Sequence, residues 1–232
     1  MMHARTLAIC ALGLVCSTHR LEAQGLSQYR NFELGSDLAS VSTLAGITAS
    51  DAKVIHQRPA ILQDLEWRPS RWSPGSMASS TDPVEQILFS FYNDQLFRVV
   101  VDYGRDRTEG MTGADMIEAI SAVYGTALSR TPRAPDRVAS RLAVESGSPV
   151  ARWGDADHAV VLFQALSYRA AFRLVVTDVR LEGLARRAEA QALRLDEQEA
   201  PRREIARQQK ERDDGRTAAA KARATNKGVF RP

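Results

Sequence analysis

The sequence predicts an α+β fold: an antiparallel sheet with flanking helices, a hint of two related strand–strand–helix units, and a long charged C-terminal helix. Three observations lead there. Val84–Tyr103 (VEQILFSFYNDQLFRVVVDY) is two β-rich runs split by Asn93-Asp94, residues that tolerate the positive φ a two-residue hairpin turn demands. After Thr112, the residues Met116, Ile117, Ile120, Val123 and Tyr124 recur at helical spacing. Beyond Pro201 the chain is charged and alanine-rich, with Ile205 the only large aliphatic residue before Val229.

The N-terminus sets apart the first residues. Arg5 precedes an apolar run, Leu7–Cys16, then a polar stretch and the small residue Ala23. That order describes a secretory signal, residues 1–23, with cleavage after Ala23. The apolar run is too short to span a bilayer, which takes about 20 residues. Cys16 follows Leu14-Val15 rather than the small residue that precedes a lipidated cysteine, so a lipid anchor is not expected. Cys10 and Cys16 are the chain's only cysteines, so the exported chain has no disulfide or thiolate site and depends on its core. Periplasm or extracellular space is the expected location.

The elements follow in order. Tyr29–Leu34 reads as a first strand or extended lead-in. Ser36 reads as the N-cap of a helix near 37–45, closed by Gly46. Pro59 and Pro69 bracket a strand near Ala60–Trp67, with the segment before it read as a turn. Residues 70–82, rich in Ser, Pro and Gly, read as a loop. In the central hairpin, 84–103, a two-residue turn pairs Phe91 with Leu96 and Phe89 with Arg98. This register sets Ile87, Phe89 and Phe91 on one face and Leu88, Phe97, Val99 and Val101 on the other. A hairpin apolar on both faces is interior and covered. Thr112 and Asp115 form a capping-box variant for a helix over 113–124, ended by Gly125. These elements make an α+β unit over 24–125.

Residues 126–136 read as a linker. A second β-rich unit over 137–199 holds strands near 150–153, 158–165 and 171–178 and a packed helix from about Leu181 to Glu199. Phe97-Arg98-Val99-Val100-Val101 matches Phe172-Arg173-Leu174-Val175-Val176, with Trp67 and Trp153 upstream of each, which suggests an internal duplication. The alternative is that any two antiparallel hairpins look alike. Trp67 and Trp153 read as core. Pro201, lacking an N–H, is expected to interrupt or restart the helix, leaving 200–232 as a charged helical or disordered tail.

Composition is that of a globular chain: 44% hydrophobic, 25% charged, net +3. The surplus sits at the end, where Lys221, Arg223, Lys227 and Arg231 follow Thr217 with no acid among them. No phosphate loop, nucleophile elbow or zinc-helix motif is present. Only His56 and His158 follow residue 23, which excludes a three-histidine metal site.

Two clusters remain as candidate sites. Asp155, Asp157 and His158 (GDADH) offer carboxylates and an imidazole for a divalent metal or a proton relay; the competing reading is a polar hairpin turn. Asp102, Arg105, Asp106, Arg107 and Glu109 follow the hairpin, and their arginines can bond carboxylate or phosphate bidentately; the competing reading is a solvated loop of weak ion pairs. This loop and its counterpart after Asp178 are the expected places for a binding site, with Trp72 as an exposed aromatic. No cofactor is expected.

The stretches FELGSDLASV, RPAILQDLEWRP, FSFYNDQLFRVVVDY, DRTEGMTGADMIEAI and LRLDEQEAPRREIARQQKER resemble exported bacterial proteins without an assigned activity, so the likeness carries over no functional residue. In architecture, the helix-plus-strand units resemble the small modules of the β-lactamase-inhibitor-like and outer-membrane-assembly lipoprotein families. That resemblance implies partner binding rather than catalysis, although this chain lacks their lipobox and their Gly-Pro motif after the first helix.

The expected function is therefore a non-catalytic periplasmic or cell-envelope binding or adaptor protein. Its partner would be an envelope protein or an anionic surface met through the basic tail, with no specific nucleic acid and no transmembrane span after cleavage. The alternatives are an exported metal-dependent hydrolase using Asp155, Asp157 and His158, and a structural envelope protein self-associating through its tail.

Overall fold

The fold is organised by the central hairpin. Asn93 and Asp94 take φ of 46° and 66°, the left-handed pair that matches the twist of the strands they join. They link β5 (Val84–Tyr92) to β6 (Gln95–Gly104). Phe91 faces Leu96 as the two-residue turn dictates, but Phe89 faces Val99 rather than Arg98, because the register shifts between Ser90 and Phe91. Phe97 is the extra residue of a β-bulge. Since side chains alternate with period two, one inserted residue moves the rest of the strand to the opposite face. Val99 and Val101 thus join Ile87, Phe89 and Phe91 in the main core, while Phe97 packs with Leu62 elsewhere.

This computed structural model describes residues 25–69, 82–128, 146–229 and 231. The expected signal (1–23), Cys16, the loop at Ser70–Thr81, Trp72 and most of the expected linker lie outside them. A small hairpin, β1 (Gln28–Tyr29) and β2 (Phe32–Glu33), comes first. It is followed by α1 (Leu38–Ala45), whose cap is Asp37, not Ser36: the Asp37 carboxylate accepts from Ser40 N at 2.7 Å. Gly46 ends it with φ of 68°. The segment read as a turn holds a short strand, β3 (Lys53–His56), before β4 (Leu62–Trp67). After β6 comes α2 (Gly113–Tyr124), with the Thr112–Asp115 capping box in place. Then follow β7 (Ser148–Gly154), β8 (His158–Gln164), β9 (Ala170–Asp178) and α3 (Val179–Val229).

Seven strands form one antiparallel sheet in the order β3-β4-β5-β6-β9-β8-β7. The two sequence units therefore share a sheet, joined where β6 meets β9. The match of Phe97–Val101 with Phe172–Val176 aligns Val100 with Val175, and these two residues face each other in the β6–β9 register. The meanders β4-β5-β6 and β7-β8-β9 are thus arranged about that pair with local twofold symmetry. The helices break it. Met116, Ile120 and Tyr124 of α2, with Val41 and Ala45 of α1, cover one face together with Trp67 and Trp153. Leu181 and Ala185 of α3 cover Leu62 and Phe97 on the other.

Trp153 is 1% exposed and its indole N–H donates to Ser121 Oγ at 3.2 Å, which ties β7 to α2. Interior β5, β6 and β9 are apolar on both faces, as strands covered from two sides must be.

The expected long C-terminal helix is present, and it differs from expectation only at Pro201. It runs unbroken through Pro201. Proline removes one intrahelical bond and crowds the preceding turn. Arg203 bridges that turn, donating to the Asp196 carbonyl at 3.3 Å and to Asp196 Oδ1 at 2.7 Å. Every described residue after Ala200 is exposed, so the arm has no buried face to lose.

Truncation after Ala200 should therefore leave the urea midpoint of the body unchanged. Leu181→Ala, which opens a cavity over Leu62 and Phe97, should lower stability by about 2–5 kcal/mol in the same assay.

Candidate functional site

The loop after β6 begins where Gly104 ends the strand. Thr108 N and Oγ1 both bond back to the Gly104 carbonyl, at 3.1 and 2.9 Å, and Met111 N to Thr108 O at 3.0 Å. Across from it stands the β8–β9 turn. Arg105 joins the two: its N–H donates to Arg169 O at 2.9 Å, its Nε to Tyr168 O and its Nη2 to Ser167 O, both at 3.3 Å. Arg105 is thus occupied in positioning the turn. Arg107 Nε lies 3.8 Å from Asp106 Oδ2, a surface pair of small worth. Between loop and turn lies an open cleft of about 780 Å3 bordered by Glu85, Asp106, Glu109 and Arg169. Tyr168 and Leu166 project from the turn, 93% and 82% exposed. Asp102, also from this cluster, pairs bidentately with Arg173 on β9 at 2.6 and 2.9 Å.

The sequence also pointed to a counterpart loop after Asp178. The structure has none: α3 starts at Val179, and Asp178 Oδ1 caps it by accepting from Leu181 N at 2.7 Å.

Asp155, Asp157 and His158 lie at the other end of β8, in the β7–β8 turn. Asp155 Oδ1 accepts from the backbone N–H of Asp157 at 2.8 Å and of His158 at 2.7 Å. These two bonds hold the Asp155 carboxyl below the usual carboxylate range. Gly154 takes φ of 155°, and a Cβ there would stand 2.6 Å from the His158 carbonyl, so the turn needs glycine at that position. His158 Nδ1 is 3.5 Å from Asp155 Oδ1. Asp157 contributes its carbonyl, which accepts from Val179 N at 2.8 Å. The three residues share a turn, but among the described residues no group of three His, Cys, Asp or Glu side chains is arranged to hold a metal.

A pocket without a sequence signal lies behind the β6–α2 loop. It encloses about 310 Å3 between α2, the end of β6 and the β1–β2 hairpin, and is lined by Tyr29, Tyr103, Tyr124, Met111, Met116 and Ile120 among others. That volume is at the small end of ligand pockets, which span roughly 300–1,000 Å3. Tyr124 donates to Gln28 O at 2.9 Å, and the Tyr29 and Tyr103 hydroxyls are close enough to perturb each other's ionisation. Burial raises all three phenol pKa values, so the hydroxyls stay neutral near pH 7. Arg30 stands over the Tyr29 ring, 5.4 Å from its centroid, and forks onto Asp82 with two bonds of 2.8 Å. For Asp82, burial pushes the carboxyl up, but the Arg30 bonds and the Val84 N–H outweigh it and the net pKa is lowered. The pocket offers apolar walls and neutral phenols, suited to holding a small apolar molecule. Its three tyrosines are far apart in sequence, which leaves no local pattern to read.

Comparison with protein-family models, with curated proteins and with solved structures returns no match.

Arg30, which lines the pocket, is held by its fork onto the buried Asp82 carboxylate, so Asp82→Asn should cost about 1.5–3 kcal/mol near neutral pH. Because the folded-state pKa of Asp82 is depressed, this contribution is fully present above the unfolded value of about 3.9 and is lost as pH falls through the folded one. Urea titrations of both proteins should converge over that acid range.

Proposed function

We propose that this chain is a non-catalytic binding or adaptor protein of the cell envelope, whose sheet body carries a projecting helical arm for contact with a partner. The observation that carries this reading is α3. Its root is buried through Leu181, Glu182, Ala185, Ala188 and Ala192, and Glu199 makes the last bond to the body, 2.9 Å from Arg58. Residues 201–229 then continue as helix with every side chain exposed. At 1.5 Å per residue they extend about 43 Å. A solvated helix of that length adds nothing to the core, so its use lies in what it reaches.

Charge supports the same reading. Between Arg202 and Arg231 ten Lys and Arg stand against four Asp and Glu, whereas residues 1–201 hold 21 against 24. The arm's first part is laced by ion pairs: Arg207 with Glu204 and Glu211 at 2.8 and 2.9 Å, and Arg216 with Asp213 at 3.7 Å. Its last part, from Thr217, is purely cationic. A paired shaft with a cationic tip suits an acidic protein surface or an anionic membrane face, where each cation contributes about 1 kcal/mol at best. The expected export of the chain favours such a partner over nucleic acid. Among the described residues no helix is long and apolar enough to cross a membrane. Asp155 is committed to its turn, so the metal-hydrolase alternative gains no support from the β7–β8 geometry.

Photo-crosslinking tests the reading. A crosslinking residue at Ala219 should capture one defined envelope component, whereas the same residue at exposed Leu44 on the body should not. Equal capture at both positions, or none at Ala219, removes the adaptor reading. A crosslink to a second copy of the chain replaces it with self-association.

A further inference from the structure

A second, polar cleft lies on the opposite face of the sheet, where the root of α3 passes over β6 and β5. It encloses about 170 Å3, the liquid share of five or six waters at about 30 Å3 each. Only a molecule of a few heavy atoms fits inside.

Its charges are unbalanced. Three carboxylates line it, Asp64, Glu182 and Glu189, against two guanidinium groups, Arg98 and Arg186. Both arginines are drawn to one oxygen: Glu182 Oε1 accepts from Arg186 Nε at 2.6 Å and lies 3.7 Å from Arg98 Nη1. The other oxygen, Glu182 Oε2, has no hydrogen-bond partner, although Glu182 is only 4% exposed. Arg98 Nε is likewise buried without an acceptor. Arg98 sits in the sheet register between Ser90 and Thr177, which are 1% and 0% exposed and whose hydroxyls also lack partners. Buried polar atoms in native proteins are nearly always satisfied, and an orphaned one is costly. Two of these four atoms belong to residues that line the cleft, Glu182 and Arg98, which marks it as a place built to be filled.

The missing partner has a definite chemistry. Glu182 Oε2 needs a donor, and one positive charge balances the five side chains. Arg98, which lines the cleft, can donate to an acceptor. Leu62 and Phe97, also lining the cleft, give an apolar wall for a short carbon stem, and the Arg98 guanidinium lies over the Phe97 ring, 5.4 Å from its centroid. We infer that this cleft binds a small aliphatic amino alcohol, its ammonium on Glu182 and Asp64 and its hydroxyl toward Arg98. The inference is independent of the arm's partner, since the cleft belongs to the body.

Backbone-amide NMR of the full chain tests it with ethanolamine, using ethylene glycol as the uncharged probe of equal size and butylamine as a mimic of a lysine side chain. Ethanolamine should produce saturable shifts at residues 62–64 and 182–189, weakened by added salt, and ethylene glycol should produce none. Glu182→Gln should abolish the shifts. Because that variant can disturb folding, Asp64→Asn/Glu189→Gln, at two partly or fully exposed positions, serves as the second measure and should weaken binding about tenfold or more. Absence of saturable shifts, equal shifts with ethylene glycol, or unchanged affinity in the double variant overturns the inference. Tighter binding of butylamine than of ethanolamine overturns it in favour of a partner's lysine side chain.

Discussion

The bulge at Phe97 is the constraint on which the rest of the structure depends. Without it, Val99 and Val101 would point away from Ile87, Phe89 and Phe91, and the main core would lose two side chains that are now fully buried. Each is worth about 1.5–3 kcal/mol by burial alone. The same inserted residue turns Phe97 and Arg98 toward α3, where Phe97 supplies the apolar seat for Leu181 and Ala185 and Arg98 meets Glu182. One extra residue therefore builds the main core on one face and the docking site of α3 on the other.

The β6–β9 pairing carries the second organising feature. Two three-stranded meanders are disposed symmetrically about Val100 and Val175, yet α2 and α3 lie on opposite faces. The two faces have consequently become chemically different. The α2 face holds the tyrosine pocket, where Tyr124 bonds to the Gln28 carbonyl and Arg30 to Asp82. The α3 face holds ion pairs and unpartnered polar atoms within the sheet. A symmetric arrangement of strands thus supports two unlike cavities, distinguished by which helix covers them.

The arm illustrates a balance of small terms. Pairs spaced three or four residues apart contribute roughly 0.2–0.5 kcal/mol each. The four along 199–216 therefore fall short of the roughly 3 kcal/mol an interior proline costs. Arg203, bonded to both the carbonyl and the carboxylate of Asp196, adds a local staple across Pro201. The helix is anchored by burial at its root, and its most vulnerable point is where that burial ends.

Local chemistry was legible in the sequence. The Asn93-Asp94 turn, the Thr112–Asp115 capping box, the glycines closing α1 and α2, and the strands around Trp67 and Trp153 all rest on interactions within a few residues, and each is present. The expectation for Pro201 followed from a sound local rule that a longer-range staple overrode. Ser36 lost the cap to its neighbour Asp37, a choice between adjacent residues that both have cap chemistry. The bulge, the strand β3, the tyrosine pocket and the cleft under α3 were not legible. The bulge and β3 are choices of strand register within neighbouring segments, and the two cavities depend on residues brought together from distant parts of the chain, such as Tyr29 with Tyr103 and Asp64 with Glu182. By itself the sequence determined turns, caps and the alternation of apolar residues, because these are set by backbone conformation over one or two turns. Only the tertiary structure decided which face β6 presents, since that depends on a register that a single residue, Phe97, shifts for the rest of the strand.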